Sequence, residues 1–229
     1  ELAVEASDKD PWPYFYLTRA FVRRGLPEKA LDVADSAHKF ADEMRHRNFE
    51  SALLSQELLA VVMSGRIEIA ESLLDAIDSR DTLSPEFLIT AAYVRAYLEN
   101  NTTRPDVMKI FDAALTKLRN NDSRKAHVQA KIQMYRGKLL HRLHNLRDAE
   151  TAFSAACAKD PHNVHMKECL IKVLKEIARE AKDSGEEAAE ESAARRAVDV
   201  ANEILAYDNR NNLALNILED MIRLHGIER

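Results

Sequence analysis

Glycine and proline are scarce. Five glycines and six prolines in 229 residues leave too little turn chemistry for an all-β fold, a collagen-like chain or a disordered linker. Cysteine is scarcer still. Cys157 and Cys169 stand alone, which is no disulfide framework, so a reducing, cytoplasmic compartment is the default expectation. No apolar run approaches the ~20 residues that cross a bilayer, so membrane insertion is not expected. Residues 1–10, ELAVEASDKD, lack the basic stretch and apolar run of a signal peptide. The chain opens on Glu1 rather than Met, which fits a piece cut from a longer protein. A basic excess is missing too: 33 Lys and Arg stand against 38 Asp and Glu, a net charge of −5. That balance disfavours nucleic acid as a partner. There is no Gly-rich phosphate loop, no G-x-S-x-G and no H-E-x-x-H, so neither an enzyme nor a cofactor is expected.

What is present is a core and a period. Hydrophobic residues make up 46% of the chain, enough to fill an interior. Tight breaks fall at Gly25, Gly65, Asn101, Asn145 and Gly185, about 40 residues apart, the range of helical repeat arrays. A second set interleaves with them: Asn48, Ser84-Pro85, Asn120 to Asp122, Asp160-Pro161 and Asp208-Asn209. Two breaks per period mean two elements per repeat. Apolar residues recur at three- and four-residue spacing, as in Leu17, Phe21, Ala30, Ala34 and Ala37, or Ile171, Leu174 and Ile177, so the elements read as helices. Pro27, Pro85 and Pro105 suit first helical turns, and Ser84 is a plausible N-cap. The pattern predicts helices over 11–24, 27–46, 48–63, 66–79, 85–99, 104–119, 123–143, 146–159, 163–182, 186–207 and 211–225. The expected fold is all-α: an α-solenoid of about five antiparallel helix pairs plus a C-terminal capping helix, over a single domain at 11–229 behind an extension at 1–10. The repeats would run 11–47, 48–83, 84–121, 122–161 and 162–209. Pairs this thin bury their apolar faces only by stacking on neighbours.

One repeat carries a motif. Ala149-x3-Phe153-x2-Ala156-x4-Pro161, with Gly137 twelve residues before Ala149, resembles a tetratricopeptide repeat (TPR). Small residues there let two helices cross closely while Phe153 fills the gap beside them. Residues 11–44 also resemble the family through Tyr14, Leu17, Phe21, Gly25, Ala30 and Ala37. The matches are weaker at 51–84 (Gly65, Ala70), at 85–119 (Phe111, Ala114) and at 163–209 (Ala197, Asp208). The period near 40 exceeds the usual 34 of the family, which leaves HEAT-like pairing as the rival arrangement.

The resemblance implies a protein-interaction module whose first helices line a concave groove for a peptide or helix. Carried over from the matched repeats, the groove would hold Trp12, Phe15, Arg19, Val22 and Arg23, then Leu59, Val62 and Met63, and then Lys131, Met134, Lys138, His141 and Arg142. Cations mixed with apolar side chains suit an acidic partner with a few apolar anchors. The carboxylate clamp of some chaperone-binding members is not kept, because Phe15 and Arg19 replace its first Lys and Asn. Cys157, His162, His165 and Cys169 are the one metal-like group, but the spacing is not a zinc pattern and no metal is expected. His141 and His144 read as groove or turn residues. The terminal stripe from Leu213 to Leu224 is wide enough either to tuck deep against the last repeat or to self-associate. A regulatory or output segment of a larger multidomain protein is the rival function, and an RNA-binding helical repeat is a third.

Overall fold

The computed structural model of the protein describes residues 10–44, 47–78, 85–98 and 125–226. The expected helix 104–119 with Phe111 and Ala114, the Ser84 cap, residues 1–9 and the breaks at Asn101 and Asn120 to Asp122 lie outside the described residues. The chain divides into two compact units, Glu1–Asn120 and Asn121–Arg229. Every element among the described residues is helical.

In the first unit, α1 (Trp12–Arg23), α2 (Pro27–Met44), α3 (Arg47–Met63), α4 (Ile67–Asp78) and α5 (Pro85–Leu98) follow one another. The first helix of each pair forms one row, with α3 between α1 and α5. The second helices back it, α2 against α1 and α3, α4 against α3 and α5. Small side chains permit the close crossing: Ala30, Ala34, Ala37, Ala60 and Ala70 have no accessible surface. Phe49, Leu53, Leu58 and Phe87 fill the spaces left and are equally buried, each contributing about 1.5–3 kcal/mol of burial.

In the second unit, α6 (Lys125–Arg142), α7 (Leu146–Lys159), α8 (Val164–Ser184), α9 (Glu187–Tyr207) and α10 (Asn212–His225) repeat the plan. The row is α6, α8 and α10, backed by α7 and α9. Gly137 of α6 meets the Phe153 ring: a methyl group there would lie 2.8 Å from two ring carbons. The close crossing that the sequence motif implied is therefore present in α6 and α7.

The turns are as repetitive as the helices. After α1, α3, α6 and α8 a left-handed residue reverses the chain: Gly25, Gly65, His144 and Gly185, with φ of 70°, 74°, 55° and 73°. The next residue then donates its N–H to a carbonyl five back, Leu26 to Phe21, Arg66 to Val61, Asn145 to Leu140 and Glu186 to Ala181. This satisfies orphan carbonyls at each helix end. The break expected at Asn145 is thus made by His144, and Asn145 caps α7 instead, accepting from the Asp148 N–H at 3.4 Å. The terminal stripe splits in two. Ala214, Ile217, Leu218 and Met221 are buried where α10 packs on α8 and α9, while Leu215 and Leu224 remain over 40% exposed.

Candidate functional site

The outer faces of the first helices carry the candidate residues, and each unit presents its own. On α1, Trp12 is 38% and Tyr16 60% exposed. They sit one helical turn apart, so both rings emerge on one face. Their centroids are 6.3 Å apart, and Phe15 stands edge-on to Trp12 at 5.6 Å. Trp12 also meets Phe49 edge-on at 5.7 Å, which ties the start of α1 to the start of α3. Phe15 is shared with the core, packing on Ala34, Ala37, Phe49 and Leu53. Arg19 follows one turn beyond and is half-buried, and Arg23 is exposed at the helix end. On α3, Met63 is 48% exposed, while Leu59 is half-buried against the core. Val22 and Val62 are core residues and not groove residues, since the same helix faces pack against α2 and α4.

On α6, Lys131 and Lys138 both lie over the Tyr135 ring, 5.8 and 5.7 Å from its centroid, within cation–π range. Lys138 Nζ is 3.3 Å from His165 Nε2 on α8. His141 Nε2 lies 2.9 Å from Glu176 Oε2, also on α8. Arg142 is exposed. Met134 is 7% exposed and packs inward, so it offers a ligand almost no surface.

Beyond these residues, α8 and α10 enclose a cleft of about 580 Å³, within the range of ligand sites. Lys172, Lys175, Glu176 and Arg179 line it from α8; Leu213, Ile217, Glu219, Asp220 and Arg223 line it from α10. Lys175 donates to Asp220 at 2.5 Å and Arg223 to the same carboxylate at 3.2 Å. The Lys175 ammonium, with Arg223 assisting, holds the Asp220 carboxyl below the usual carboxylate range. Nearby, His165 and Asn211 bond to Glu168 and lower its pKa as well. The sequence reading did not single out Lys172, Lys175 and Arg179. Their signal was spacing, i, i+3 and i+7 on one helix face, in a repeat too weakly matched to carry family positions over.

The two histidines of the metal-like group take separate partners. His162 Nδ1 is 3.0 Å from the Tyr207 hydroxyl, and His165 faces Glu168 and Lys138. Burial pushes the Cys157 thiol up to about 11, so it is a protonated, poor nucleophile at neutral pH. Among the described residues no three metal-ligating side chains gather at one point. No helix among them is long and apolar enough to cross a membrane.

The described residues fold as TPR-like hairpins: paired antiparallel helices, a glycine under a phenylalanine at the crossing, first helices in a row. No protein-family model matches the sequence, and no curated protein matches it. Among solved structures, the chain is similar to YrrB, described as a TPR protein with an unusual peptide-binding site. The two are 15% identical, the match covers 95% of this chain and 96% of that one, and the TM-score is 0.43.

Proposed function

We propose that the protein is a non-enzymatic interaction scaffold that holds a peptide or helix of a partner protein on the outer faces of its first helices. The observation that carries this reading is the exposed aromatic stack on α1, Trp12 and Tyr16 supported by Phe15. Aromatic rings supply large contact area with few rotatable bonds, so little entropy is lost when a partner orders them. Here the buried side of the stack already fixes it, through Phe15 and Phe49. Arg19, Arg23 and Met63 extend this surface in the first unit, with Leu59 beneath. Lys131, Lys138, His141 and Arg142 form its counterpart in the second. The cations favour an acidic partner.

Selection from a random displayed peptide library against the intact chain tests the reading. Enriched peptides should be acidic with apolar anchors. Replacing Trp12 and Tyr16 by Ala, or reversing charge at Lys138 and Arg142, should weaken them at least about tenfold, the scale of a lost interface anchor. Enriched peptides indifferent to both changes, or no enrichment at all, would refute it.

A further inference from the structure

We propose that the cleft between α8 and α10 binds a peptide segment bearing two carboxylates about 10 Å apart, with an apolar side chain beyond one of them. This rests on the peptide-binding reading above and places a specific ligand pattern on residues outside the expected groove.

The register of the two helices defines the pattern. Asn211 donates to Glu168 at 2.9 Å, Lys175 to Asp220 at 2.5 Å, and Lys182 to the Leu224 carbonyl. Both chain numbers rise together, so α8 and α10 run parallel. Lys172 is therefore level with Ile217, and Arg179 with Arg223. Lys172 and Arg179 are seven residues apart, about 10 Å along a helix. Neither makes a hydrogen bond or ion pair with a described residue; Lys172 acts on Glu168 only at a distance. The middle of the cleft differs from its ends. There Lys175 is neutralised by Asp220, and Glu176 and Glu219 face inward. An acid placed centrally would meet those carboxylates, so a ligand's acids belong at the two ends. Leu213, beyond Lys172, supplies the accessible apolar part of the lining, with Ile217 beside Lys172 almost fully buried. In a polyproline II conformation, with about three residues per turn and ~3.1 Å per residue, acids three positions apart lie on one face at about this separation. The pattern is apolar, any, acid, any, any, acid.

Fluorescence anisotropy on the intact chain tests this with labelled octapeptides. The probe is Gly-Leu-Ser-Glu-Ser-Ser-Glu-Gly, and the controls place the two glutamates adjacent or six apart. The three-apart probe should bind at least about fivefold more tightly than either control. Lys172→Gln and Arg179→Gln should each weaken it about tenfold, the scale of one charge-assisted contact, while Arg195→Gln on α9 leaves it unchanged. Added salt should weaken binding. Circular dichroism checks that each variant is folded. Equal binding of the three spacings, indifference to both α8 substitutions, or no binding at millimolar peptide would overturn the proposal. In those cases library peptides still sensitive to Trp12 or Lys138 would leave the scaffold reading standing. A library that yields nothing would remove both.

Discussion

At the scale of single residues, Gly137 shows how one missing side chain sets a helix crossing. A methyl group on it would press into the Phe153 ring at 2.8 Å, and that ring is buried on all sides at 1% exposure. Alanine would gain up to about 1 kcal/mol of helix propensity, but overpacking a filled core costs about 1–3 kcal/mol. Gly137→Ala should therefore destabilise the protein by about 1 kcal/mol in urea unfolding, and adding Phe153→Leu should recover part of that loss. A G137A variant at least as stable as the parent would show that α6 and α7 have room to spare. The pair was legible in the sequence because a glycine within a helical run, twelve residues before a spaced Ala-Phe-Ala triplet, has few other uses. His144 was not legible. It takes a left-handed φ of 55° where the turns after α1, α3 and α8 use glycine, and a side chain gives no local sign of that backbone state. Met134 was not legible either: periodicity places it on a helix face without saying which face the neighbouring α8 covers.

At the scale of elements, helix ends were readable wherever a turn residue has a fixed role. Helix α7 begins and ends where the spacing put it, at Leu146 and Lys159, and α8 runs two residues beyond the expected end, to the Gly185 cap whose N–H still bonds back to the Ala181 carbonyl. The turns before α8 and α10 are built alike. Asp160 and Asp208 share a φ of −138°, and Asn163 and Asn211 donate back to their carbonyls at 3.2 and 3.0 Å. Their caps differ. Asn211 accepts the Ala214 N–H at 3.0 Å and donates to Glu168 on α8 at 2.9 Å, whereas Asn163 donates to Asp160 instead and caps nothing. Asn211 thus starts α10 and fastens it to α8. Asn211→Ala should cost about 1–2 kcal/mol, a lost cap together with a hydrogen bond to a charged acceptor, measured as a lower urea midpoint. Asn163→Ala should cost clearly less. Equal losses at the two sites would mean that the α8 bond contributes nothing and that α10 is held by its apolar face alone.

At the scale of the whole molecule, the sequence announced stacked hairpins more clearly than it announced their surfaces. Helix periodicity and turn spacing follow from backbone geometry, which repeats. A binding face depends on which polar side chains find partners, and Lys175 with Asp220, or His141 with Glu176, meet across 45 and 35 residues of chain. Such pairings are decided by tertiary register, so a linear reading sees only cations. The second unit also has buried side chains from Val128 to Met221, its own turns, and α10 packed on α8 and α9. Expressed alone, residues 121–229 should be helical by circular dichroism and unfold cooperatively, because a repeat draws its stability from adjacent hairpins present in the same piece. The expectation of one domain over residues 11–229 is a separate proposal with its own readout. It requires the intact chain to unfold in a single urea transition that coincides by circular dichroism and by Trp12 fluorescence. Because Trp12 reports on the first unit alone, a fluorescence midpoint displaced from the helical one would establish two domains in place of one. A fragment 121–229 without helical structure would show that the second unit's core is insufficient by itself.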